Sequence, residues 1–92
     1  MKEIIESIIG RIPAGMIFDT HTIIEYLLQN DSDAYLQNCE GRTTTSYHGY
    51  IGQVISGIAD GGLVEQIGDS WSLNIHKTFS KCACWKKRGT QQ

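Results

Sequence analysis

The sequence predicts a small α+β domain: a three-helix core with a short strand and a C-terminal β-hairpin. Three observations predict it. Apolar residues recur at spacings of three and four in KEIIESIIGRI, and the period returns in FDTHTIIEYLLQ and TTTSYHGYIGQVISGI. LVEQIGDSWSLNIH instead alternates in twos around GDS. A length of 92 residues, 40 % hydrophobic with one proline, suits one domain of ordinary globular composition.

The first helix spans residues 2–12, with Ile4, Ile5, Ile8, Ile9 and Ile12 on one face and Lys2, Glu3, Glu6 and Ser7 opposite. Pro13 and Gly15 close it. Met16 to Phe18 is long enough only for a brief strand. Asp19 is the N-cap of the second helix, its carboxylate able to accept from the amides of His21 or Thr22. Phe18 and Ile23 have the spacing of a hydrophobic staple, and Thr22 with Glu25 offers a rival capping box. This helix runs to about Gln29 and buries Ile23, Ile24, Leu27 and Leu28; Asn30, Asp31 and Ser32 end it. DAYLQNC can add one helical turn with Tyr35 and Leu36 inward, before a polar loop at Glu40, Gly41 and Arg42.

The third helix is expected over 43–60, capped by Thr43 or Thr44 and stopped by Gly61-Gly62. Tyr47, Ile51, Val54, Ile55 and Ile58 line its inner face. Ser46, Gly49, Gln53 and Ser56 point away, flanked by Thr45 and His48. Two strands follow, Leu63 to Ile67 and Trp71 to Ile75. A loop at 68–70 pairs Ile67 with Trp71 and Glu65 with Leu73, burying Trp71 and turning Ser72, Asn74 and His76 to solvent. The domain then covers 1–78. Residues 79–92 read as a basic tail, partly disordered, with Phe79 and Trp85 as isolated apolar residues.

The net charge of −2 conceals an asymmetry. Residues 1–70 hold Lys2, Arg11 and Arg42 against all ten acids, a net of −7; residues 71–92 hold five cations and no acid, a net of +5. A polyanion is therefore expected to meet the tail first, through Lys77, Lys81, Lys86, Lys87 and Arg88; the alternative is a merely solvated terminus. No window approaches a membrane span, and the start does not resemble a secretory signal. Three cysteines, Cys39, Cys82 and Cys84, then suggest free thiols and a cytoplasmic protein.

Helix, short strand, helix, helix, hairpin is an order that resembles a winged-helix domain over about residues 2–76. FDTHTIIEYLLQ stands as strand edge and second helix, TTTSYHGYIGQVISGI as third helix, and LVEQIGDSWSLNIH as hairpin wing. The resemblance implies double-stranded DNA binding with the third helix in the major groove, as in a small transcriptional regulator, and a homodimer could span two half-sites. Other winged helices are protein-interaction modules, which is the alternative. Two features depart from the pattern. The 31–42 segment is long for the tight motif, and Asp69 occupies the wing tip, where a phosphate would favour Lys or Arg.

Thr44, Thr45, Ser46, His48 and Gln53 can hydrogen-bond to base edges, and Gln pairs bidentately with adenine. Gly49 and Gly52 cost the helix roughly 1 kcal/mol each relative to alanine, which close approach of another surface would justify. Arg42, just before the helix, could anchor a phosphate. His76, Cys82 and Cys84, with Cys39 as a fourth donor, match no strong zinc spacing, and no metal or other cofactor is expected. Asp19 and His21 lack an adjacent nucleophile in sequence and no phosphate-cradling glycine loop is present, so no enzyme activity is expected.

Overall fold

The computed structural model describes residues 1–89, with the backbone alone for Thr45. Among these residues are four helices and a three-stranded antiparallel sheet: α1 (Lys2–Gly10), β1 (Ile17–Asp19), α2 (Thr20–Asn30), α3 (Ser32–Cys39), α4 (Thr44–Asp60), β2 (Val64–Leu73) and β3 (Phe79–Lys87). The sheet order is β1-β3-β2. The α+β class is as expected from the periodicities, with one helix more than the three anticipated: residues 32–39 form α3, not a single turn.

The helices form because their apolar stripes meet. Ile5, Ile8 and Ile9 of α1, Ile23, Ile24 and Leu27 of α2, and Tyr47, Ile51, Ile55 and Ile58 of α4 make one buried cluster, closed by Phe18, Val64 and Trp85 from the sheet. The caps fall where the side chains can supply them. Asp19 accepts from the Thr22 amide at 2.9 Å and Thr43 from the Ser46 amide at 3.1 Å, each filling an orphan donor of a first helical turn. On α3, Tyr35 is buried as expected, but Leu36 faces solvent. Tyr47 donates its hydroxyl to the Tyr35 carbonyl at 2.7 Å, joining α4 to α3, and burial foremost pushes its pKa up to about 12.

The hairpin differs from expectation in register, turn and orientation. Gly68, at φ 137°, belongs to no loop; it sits at a bulge where the pairing slips between Gln66 and Gly68. β2 therefore runs on to Leu73, and Trp71 faces Lys81, not Ile67. The turn lies at 74–78. The Asn74 side-chain oxygen accepts from the amides of His76 and Thr78 and from the Thr78 hydroxyl, and Lys77 takes a left-handed φ of 67°. Directly opposed residues share a face. Ser70 with Cys82 and Ser72 with Ser80 make one face; Trp71 with Lys81 and Leu73 with Phe79 make the other. The serine face turns toward the body and Trp71 is 70 % exposed, the reverse of the expected burial.

Residues 79–87, read from sequence as tail, form the central strand. Trp85 is 2 % exposed, lies opposite Phe18, and donates its indole N–H to Thr20 Oγ1 at 3.1 Å. Lys87 is buried as well: its ammonium donates to the carbonyls of Ile9 at 3.1 Å and Ile12 at 2.8 Å, where α1 has no basic residue in its last turn. Residues 90–92 of the expected tail lie outside the described residues. Among the described residues no helix is long and apolar enough to cross a membrane.

Candidate nucleic-acid interface

A groove of about 650 Å³ runs between the outer face of α4, the start of α2 and the hairpin. From α4 it receives Thr44, His48, Gly49, Gly52, Gln53 and Ser56; from α2, Thr20, His21 and Ile24. The hairpin closes the far wall with Asn74, His76, Ser80, Lys81 and Cys82 among others. All three histidines of the chain border this groove, and none of its lining residues is an acid. Carboxylates line two other clefts instead: Asp19 and Glu25 the one between α2 and β2, Glu3 and Asp31 the one beside α1.

The expected readers divide into four groups. Thr44, Ser46, Gly49 and Gln53 are exposed on α4. A Cβ on Gly49 would meet nothing within 4 Å, while one on Gly52 would touch the Thr20 methyl at 4.0 Å. Gly49 thus leaves its surface open, and Gly52 faces α2. His48 is half-buried and its Nε2 lies 2.8 Å from the Tyr35 hydroxyl, so one ring nitrogen is engaged by α3. Burial lowers its pKa, with further lowering by the charges of His76 and His21. The Thr45 side chain is outside the described residues. Arg42 folds back, donating to the Asn38 carbonyl at 2.7 Å with its guanidinium 4.4 Å from the centre of the Tyr50 ring, and does not line the groove.

The five expected phosphate contacts do not form a set. Lys81 lines the groove, its ammonium 4.0 Å from the Asp69 carboxylate, and Lys77 is exposed on the hairpin turn. Lys86 is exposed on the sheet opposite Ile17 and Glu65. Arg88 is exposed beyond β3, its amide bonded to the Leu63 carbonyl. Lys87 is ruled out by its burial against α1. Among the described residues no group of three or more His, Cys, Asp or Glu side chains could hold a metal ion, and the three cysteines are free and half-buried.

One constellation was invisible in the sequence. Ser70 donates to the Asp19 carboxylate at 3.0 Å, His21 Nδ1 lies 2.6 Å from Ser72 Oγ, and His21 Nε2 is 3.5 Å from Ser80 Oγ. Burial would raise the Asp19 pKa, but hydrogen bonds from the Thr22 amide and from the Ser72, Thr22 and Ser70 hydroxyls outweigh it, and the carboxyl sits below its ordinary value. The network ties the hairpin to the start of α2. The alternation of Ser70, Ser72 and Asn74 is its sequence trace, but a row of serines reads as a solvent face until a partner is known. Compared with family models, curated proteins and solved structures, the chain matches none.

Proposed function

We propose that this chain is a winged-helix protein that binds double-stranded DNA and acts as a small transcriptional regulator, α4 reading the major groove and the β2–β3 hairpin serving as wing. The order helix, strand, helices, hairpin and the β1-β3-β2 sheet support the fold reading. The observation that carries the function is the absence of acids from the α4 groove: an acidic chain keeps every carboxylate out of its lining, which holds Lys81 and three histidines. Uncharged donors and acceptors on an exposed helix face suit base edges. Tail-led phosphate attraction forms no part of the proposal, because the tail is a strand.

Fluorescence anisotropy on random and selected duplexes at two salt concentrations tests the reading. Gln53→Ala is expected to cost about 1–3 kcal/mol on a selected site and little on random duplex. Gly49→Leu is expected to hold DNA away without lowering the melting temperature, since its side chain enters open space. If both variants bind as the parent does, α4 is not the reader and a protein-interaction module becomes the better account.

A further inference from the structure

The hairpin arm is turned inside out relative to an ordinary amphipathic hairpin. Hydrogen bonds hold its serine row against Asp19 and His21. Its opposite row carries Trp71 at 70 %, Phe79 at 69 % and Leu73 at 46 % exposure. From this arrangement we infer that the outward row is a stacking site for the unpaired bases of a single-stranded nucleic acid, with Lys77 and Lys81 meeting its phosphates.

The register makes Trp71 and Phe79 diagonal neighbours on one face. Such positions are about 7–8 Å apart at Cα, which lets each ring receive a base. Lys81 lies directly opposite Trp71, and Lys77 is exposed at the turn. Aromatic rings interleaved with cations form the usual platform for single strands, because every base offers a π-face. Asp69 is the acid on this row, 4.0 Å from Lys81, and that exposed pair exchanges readily for a phosphate.

Size and edge chemistry disfavour a second copy of the chain as occupant. Two aromatic side chains and a leucine at these exposures present on the order of 300–400 Å², against about 800 Å² per partner in a standard interface. The free edge of β2 carries a bulge at Gln66–Gly68 and the charges of Glu65 and Asp69, features that oppose strand-to-strand pairing. A base is small enough for the row and needs no edge. The row shares Lys81 with the α4 groove, but Trp71, Leu73, Phe79 and Lys77 lie outside the groove lining, and stacking on them does not depend on duplex reading.

Trp71 is itself the reporter, since Trp85 is 2 % exposed. Titration with oligothymidylate and with oligouridylate at low salt is expected to quench Trp71 fluorescence, with affinity falling as salt rises. A preference between the two identifies DNA or RNA as the source of the bases. Phe79→Ala is expected to weaken binding about tenfold or more with an unchanged melting temperature. Trp71→Ala, followed by anisotropy of a labelled oligonucleotide, is expected to do the same. Measuring both variants and Gln53→Ala on duplex as well separates this site from the α4 reading. Absence of quenching by either oligonucleotide, or unchanged binding by Phe79→Ala, would overturn the inference. So would sedimentation as a dimer that Trp71→Ala converts to monomer, which would give the row to a second copy.

Discussion

Lys87 has an ammonium group that ties β3 to the end of α1. It donates to the carbonyls of Ile9, which also accepts from the Ile12 amide, and of Ile12, and the lysine stem fills space among apolar side chains. Lys87→Met keeps the stem and loses the bonds; about 1–2 kcal/mol of stability should go with them. Lys87→Ala also empties the space, and a loss of about 2–4 kcal/mol is expected. Urea midpoints measure both, and a Met variant as stable as the parent would remove the ammonium from the account. His48 makes a prediction in pH. Its folded pKa lies below the ordinary 6.5 because burial disfavours the imidazolium. As pH falls below about 6.5 the unfolded chain binds the proton more readily than the folded one, so stability drops, and the loss is complete below the folded pKa. Thermal melts at pH 7.5 and 5.5 should differ, and His48→Gln should narrow that difference. Asp19 acts in another window: its carboxyl is lowered from 3.8, so its contribution is present at neutral pH and is lost only in stronger acid.

At the scale of elements, the hairpin separates what pattern can reveal from what it cannot. Alternation marked extended chain near 63–67 and 71–75 because side chains in a strand repeat every two residues, but the two stretches belong to one strand, β2, and its partner is β3. It could not identify the register. Gly-Asp-Ser reads as a turn, yet Gly68 takes its left-handed φ inside a bulge, and the true turn is built by Asn74 in a stretch without glycine or proline. Moving the turn moved the faces, so Trp71 went out and Ser72 went in. The core tryptophan is Trp85, whose sequence neighbours Lys86 and Lys87 disguise a buried strand as a basic tail. The three long helices were easier to read, because four or five apolar residues at one period outweigh any single residue; Asp19 and Thr43 cap where local side-chain chemistry requires. Asn74→Ala removes one acceptor from three donors and should cost about 1–2 kcal/mol. Faster amide exchange at His76 and Thr78 is its direct readout, and unchanged exchange there would show that the turn holds without it.

At the scale of the molecule, the α4 face was legible from sequence because helical spacing assigns inside and outside together. The groove was not, since its far wall comes from the hairpin, a separate element of the chain. Its histidines converge only when α2, α4 and the hairpin turn are packed. Acids of the early chain line the clefts beside α1 and between α2 and β2, and of the five late cations Lys81 lines the acid-free groove. Removal of residues 81–92 should therefore abolish cooperative melting, because it deletes most of the strand on which both β1 and β2 depend. A truncated chain that still melts in one transition would contradict the sheet order.

The central place of β3 also sets a timetable for synthesis. β1 pairs with residues 84–86, and Val64 pairs with Lys87. A ribosome releases the three long helices well before it releases the strand that covers their open side. Until Trp85 and Lys87 emerge, Phe18 has no ring opposite it and the end of α1 lacks the Lys87 ammonium. Contacts so distant along the chain close slowly. The nascent polypeptide thus spends its exposed interval as a helical half-domain, and the interval can end only once residues 84–87 have left the ribosome.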